Sequence, residues 1–98
     1  MPLVYVINKG PHDYSAAERF GELIYCTDGN LDKWDIAQHY RILDDILVDS
    51  APDDYLLLTS LASLCSIACA IFALKHSCLN LLIFTREGYV GKSLFFDN

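Results

Sequence analysis

Apolar residues along the chain fall into short unbroken runs and longer periodic stretches. Leu3-Val4-Tyr5-Val6-Ile7 is mostly β-branched and aromatic without polar alternation, the pattern of a central strand covered on both faces. Leu23–Cys26, Tyr55–Leu58 and Asn80–Phe84 read as three further strands. Between Asp32 and Val48, Ile36, Tyr40, Leu43 and Leu47 recur at helical spacing. Lys33, Gln38, Arg41, Asp45 and Asp49 occupy the other side, which predicts an amphipathic surface helix. Asp32 and Asp35 fall in its first turn, where a carboxylate complements the helix dipole. Ser15-Ala16-Ala17-Glu18 fits a capping box opening a short helix that stops at Gly21. After Glu87-Gly88, Tyr89-Val90 and, beyond Gly91, Leu94-Phe95-Phe96 predict a last, antiparallel edge strand.

The stretch from Asp54 to Lys75 carries no charge between its ends. It meets the length criterion for a membrane span, yet Tyr55–Leu58 completes a β-α-β pattern as a strand. The remaining helix, from Thr59-Ser60 to about His76, is too short to cross hydrocarbon. Its hydroxyls at Thr59, Ser60, Ser63 and Ser66 weaken a span further, so no membrane partner is expected. The helix nevertheless lacks a polar face. Leu61, Leu64, Ile67, Ile71, Phe72 and Leu74 share one arc, suited to burial against a sheet. Small residues, including Ser63, Ser66, Ala70, Ala73 and Ser77, share the opposite arc. A helix apolar all round must be buried. Either the amphipathic helix covers the small arc, or two copies meet through it as a homodimer, the reading favoured here.

Alternating strands and helices define an α/β fold with three layers. The expected sheet is mainly parallel and four-stranded, with an antiparallel C-terminal edge strand, helices on both faces and right-handed crossovers. Residues 1–98 form a single domain, since 98 residues leave little room for a second. At 53% apolar residues, the chain holds more hydrophobic material than a small monomer easily hides, which also points to a partner surface. A net charge of −6 argues against duplex nucleic acid, whose binding depends on neutralising phosphates. Cys26, Cys65, Cys69 and Cys78 form no CxxC or zinc-ribbon spacing; they read as reduced core thiols in a cytoplasmic setting. The N-terminus lacks the basic region and long apolar run of a signal peptide. His39 and His76, on separate helices, read as surface or boundary residues, so no metal and no cofactor is expected. Trp34 reads as a core flank.

In open parallel sheets, ligands bind beyond the carboxyl ends of the strands. The segments leaving strands at that edge are 8–14, 27–30, 59–60 and 85–86. They gather two amides, two cations, a histidine, two carboxylates and several hydroxyls. The expected ligand is phosphate-bearing or a nucleotide. Lys9 and Arg86 supply charge, Thr59 and Ser60 supply donors at a helix N-terminus, and Asn8, Asp13 and Asp28 supply specificity, with His12 and Thr27 alongside. His12 is also a weak candidate general base oriented by Asp13, as in a small hydrolase; Asp13 more simply accepts a backbone N–H near Ser15. At the opposite edge, Asp44, Asp45, Asp49, Asp53 and Asp54 form a solvated acidic rim. That rim, or the edge strand, offers the alternative of a protein-binding inhibitor.

Taken together, Asn8-Lys9-x-x-His12-Asp13-x-Ser15-x-Ala17-Glu18, Asp54-Tyr55-x-Leu57-x-Thr59-Ser60, Ile67-Ala68-x-Ala70 and Leu79–Phe84 resemble small proteins encoded by tailed bacteriophages. The resemblance spans most of the chain and carries no assigned activity. It implies a setting, the cytoplasm of an infected bacterium, and a role in binding a host protein or sequestering a host signalling molecule.

Overall fold

The computed structural model describes residues 1–29, 31–59 and 61–96. Five strands, β1 (Leu3–Val6), β2 (Glu22–Tyr25), β3 (Tyr55–Leu57), β4 (Cys78–Thr85) and β5 (Gly88–Phe95), form one sheet in the order β2-β1-β3-β4-β5. The first four are parallel, and β5 runs antiparallel to β4 at the edge. Two α-helices, α1 (Ile36–Leu47) and α2 (Ala62–His76), connect β2 to β3 and β3 to β4. The expected α/β fold, with a four-stranded parallel portion and an antiparallel C-terminal edge, is the fold observed.

Side-chain alternation divides the core into two halves. Tyr5, Ile7 and Leu56 pack with Leu43 and Leu47 of α1 and Leu64, Ala68 and Phe72 of α2. Val4, Val6, Leu57 and Leu82 point the other way, against Tyr14, Ala17 and Tyr89. Both α-helices therefore cover one face. The other face is covered by residues 15–20, which form a 3-10 helix rather than an α-helix. The chain steps from β1 to β2 in one direction and from β2 through β3 to β4 in the reverse direction. A constant crossover hand then sends the connections to opposite faces.

Several local expectations are corrected by packing. Ser15 is not an N-cap; it is the first residue of the 3-10 helix, and its N–H donates to Asp13 Oδ1 at 2.9 Å. Helix α1 begins at Ile36, so Asp32 lies ahead of it. Asp35 is the N-cap, its carboxylate accepting from Gln38 N–H. Leu61, not Thr59, occupies the N-cap position of α2. Gly91 does not interrupt β5. Trp34 is exposed rather than a core flank.

The buried stripe of α1 is His39, Leu43 and Leu47, while Ile36 and Tyr40 are exposed. His39 is only 1% exposed, and neither ring nitrogen has a hydrogen-bond partner among the described residues. A buried polar group left unpaired costs roughly 1–3 kcal/mol. His39→Leu should therefore stabilise the fold by about 1–2 kcal/mol, read as a higher urea midpoint at unchanged slope.

On α2, Leu64 and Phe72 are buried as expected, but Leu74 is 88% exposed. Of the small arc, Ser66, Ala70 and Ser77 are exposed, while Ser63 and Ala73 are half-buried. The fold of the chain thus covers only part of the arc. Among the described residues no helix is long and apolar enough to cross a membrane. All four cysteines are free, and burial pushes the Cys26 thiol up to about 12.

At the N-terminal end of the sheet, Asp54 is buried and does not belong to the acidic rim. Its carboxylate accepts Leu3 N–H at 2.9 Å and Ala51 N–H at 2.8 Å. Asn80 Nδ2 donates to the carbonyls of Asp54 and Pro52, and Ser93 Oγ donates to Asn80 Oδ1. This polar belt ties together four adjacent strands, β1, β3, β4 and β5.

Candidate functional site

β1 lies between β2 and β3, and its neighbours are reached by connections on opposite faces of the sheet. The gap beyond the C-terminal ends of β1 and β3 is therefore the topological switch point of this order, where connections diverge and leave a crevice. A cleft of about 450 Å³ opens there, on the face carrying the 3-10 helix. The 8–14 loop forms one wall. Leu57, Leu58 and Thr59 form its floor at the end of β3, and Leu82, Phe84 and Tyr89 of the β4–β5 hairpin form the far wall.

Of the residues expected at a ligand site, Asn8, His12, Asp13 and Thr59 line this cleft. Ser60 lies outside the described residues. Lys9, Thr27, Asp28 and Arg86 do not line it. The first three belong instead to a seam that prolongs the β1–β2 pairing: Lys9 N–H donates to the Thr27 carbonyl at 2.8 Å, and Lys9 bridges to Asp28. The Thr27 hydroxyl lies 2.8 Å from both the Ile7 carbonyl and Asn8 Oδ1, and Asn8 Nδ2 donates to the Gly29 carbonyl. Thr27 and part of Asn8 thus hold the two loops together. The Lys9 ammonium lies over the Tyr25 ring, 5.1 Å from its centre. Arg86 lies on the turn between β4 and β5, beyond the cleft.

Thr59 is held by a thiol. Its N–H donates to Cys65 Sγ and its carbonyl accepts from the same group, both at 3.3 Å. The N–H expected to face an anion is therefore committed, while the Thr59 hydroxyl is buried without a partner among the described residues. The expected His12–Asp13 dyad is not formed. The Asp13 carboxylate turns to Ser15, whose backbone N–H, and then its hydroxyl, hold the carboxyl below the usual carboxylate range. The exposed His12 ring stands edge-on to Tyr14, with centroids 6.3 Å apart. Among the described residues no group of three or more His, Cys, Asp or Glu side chains is arranged to hold a metal ion.

The aromatic wall was not foreseen from the sequence. Tyr14 and Tyr89 are buried on the same face, and Phe84 packs edge-on to Tyr89 with centroids 5.1 Å apart. Burial raises the Tyr89 phenol above its ordinary range, and the nearby Tyr14 and Asp13 add to the shift. One signal for this wall was available. Leu82 and Phe84 are separated by two positions and so share a strand face, and a tight hairpin places Tyr89 directly opposite Phe84.

No curated protein and no solved structure shows a significant match to this chain. One protein-family model does match, that of the phage Pam3 gp32-like protein, over residues 2–94. That span includes every strand but the last residue of β5, both helices and all residues lining the cleft. The chain belongs to the phage Pam3 gp32-like protein family.

Proposed function

We propose that this phage-family chain is a small-molecule binding protein whose cleft at the β1–β3 switch point captures an organic ligand. The observation that supports the reading most is the composition of that cleft. Concave sites for small ligands are mostly apolar and aromatic with a few placed polar groups. Here Tyr14, Phe84, Tyr89 and Leu58 surround Asn8, His12 and Asp13. Recognition through a phosphate would call on Lys9 and Arg86, and neither lines the cleft, so the organic body of the ligand carries more of the contact than a phosphate would. A second copy seated on the small face of α2 would leave this cleft open, because α2 covers the opposite face of the sheet.

A thermal-shift screen over nucleotides, nucleosides, aromatic acids and amines tests the proposal. A ligand at 100 times its dissociation constant should stabilise the native state by about 2.7 kcal/mol. The shift should shrink in Gly10→Trp, which places an indole at the cleft wall. No stabilisation by any class would favour a second reading, a protein-binding role through the sheet edge. That reading has its own support, since Leu94 and Phe95 are exposed, Phe95 at 73%, on an edge strand of the sheet, and Phe96 just beyond it is exposed too.

A further inference from the structure

We infer that the cleft takes an organic cation, its ammonium group held by Asp13 and the aromatic wall of Tyr14, Phe84 and Tyr89. This inference rests on the reading of the cleft as a ligand site and names the class of ligand.

Three features converge on positive charge. First, no lysine or arginine side chain lines the cleft. Lys9 is engaged over Tyr25 on the β2 side. Arg19 stacks on Phe20 and donates to the Tyr89 carbonyl. Second, the one acidic side chain on the described lining is Asp13, its carboxylate fixed in place by the Ser15 N–H at 2.9 Å, with His12 as the one basic side chain. An incoming phosphate would meet this carboxylate without a lysine or arginine to offset it, and the Thr59 N–H is already bonded to Cys65. Third, aromatic rings carry electron-rich faces that attract ammonium groups, most strongly where water is excluded. Tyr14 and Tyr89 are both buried, yet both border the cleft. The two phenols and the Asp13 carboxylate lie close enough to one another that Tyr14 and Asp13 both make ionising Tyr89 harder. The Asp13 carboxylate thus opposes further negative charge beside Tyr89; an anion seated there would meet that repulsion, and a cation would not. The net charge of −6 acts in the same direction, drawing cations toward the chain.

The experiment compares three probes of similar shape, 2-phenylethylamine, 2-phenylethanol and phenyl phosphate, by amide chemical-shift titration of the intact chain. The amine should perturb residues 8–14, 57–59 and 82–89 and bind about tenfold more tightly than the alcohol. Phenyl phosphate should bind more weakly than either. Asp13→Asn keeps an oxygen acceptor for Ser15 N–H and removes the charge; it should erase most of the advantage of the amine over the alcohol. Equal binding of amine and alcohol, or tightest binding of phenyl phosphate, with shifts in the cleft, overturns the cation assignment and leaves the cleft as a ligand site. Shifts from the amine that map elsewhere overturn the cation assignment as well. No shifts from any of the three probes overturn both readings.

Discussion

Gly21→Ala should destabilise this chain severely. Gly21 leads into β2 and lies against the start of β1, where Leu3 and Glu22 form the first rung of the pair. A Cβ at position 21 would fall 2.7 Å from the carbonyl carbon of Pro2 and closer still to its oxygen, and its backbone angle φ is 158°. Both obstructing atoms belong to the backbone, so no rotamer change relieves the clash. Relief requires β2 to separate from β1, which takes the β1–β2 ladder and the Thr27–Asn8 seam with it. Overpacking alone costs roughly 1–3 kcal/mol, and backbone strain adds a similar amount. The expected loss of about 3 kcal/mol or more is a large share of the stability of a domain this size. The check is a urea titration followed by circular dichroism, with Gly29→Ala as comparison. Gly29 has φ of 77° but open space around it, so it should lose only the left-handed preference, about 1–2 kcal/mol. Equal losses in the two variants would show that close approach of β1 is not what requires glycine at 21.

Asp54→Ala should cost nearly as much, although position 54 sits among the acidic residues that look dispensable. The substitution strips both Leu3 N–H and Ala51 N–H of their acceptor, in a place where water does not readily replace it. Hydrogen bonds to a charged group contribute roughly 1.5–3 kcal/mol each, and an orphaned buried donor adds its own penalty. The expected loss is about 3–5 kcal/mol. Asp54→Asn keeps one acceptor oxygen and presents an amide N–H₂ to the other donor, so it should fall between wild type and alanine. Asp53→Ala, one residue earlier and exposed, should be near neutral, within about 0.5 kcal/mol. The comparison is read from urea midpoints. A loss in Asp54→Ala no larger than in Asp53→Ala would mean that the Asp54 carboxylate does not hold Leu3 and Ala51 in place.

The elements legible in the sequence were those written in local patterns. The unbroken apolar run at 3–7 marked a central strand, because both faces of a parallel strand are buried, and the runs at 55–58 and 80–84 marked two more strands. The β-α-β rhythm then made the apolar stretch at 55–75 a strand and a helix rather than a membrane span. The carboxyl edge was legible as the place for a site, because topology alone directs loops there. Which of those loop residues meet was not legible. Asn8, His12, Asp13 and Thr59 reach the cleft, whereas Lys9, Thr27 and Asp28 zip the β1 and β2 loops together. The difference depends on β2 lying beside β1, and strand order leaves no trace in residue periodicity. The same limit applies to α1. Its 3.6-residue repeat admits a stripe through Ile36 and Tyr40 or one through His39 and Leu43. Only docking on α2 and the sheet selects the second, burying a histidine that composition alone would put at the surface. Asp54 and Asp53 are likewise indistinguishable as letters, and what separates them is a neighbouring strand with two backbone donors. By itself the sequence thus determined the order of strands and helices, the layers and the edge at which the loops gather, since these follow from periodicity and crossover geometry. The tertiary structure alone decided the chemistry of that edge, turning the cations away and bringing the aromatics in, because contacts between strands distant in sequence are set by packing.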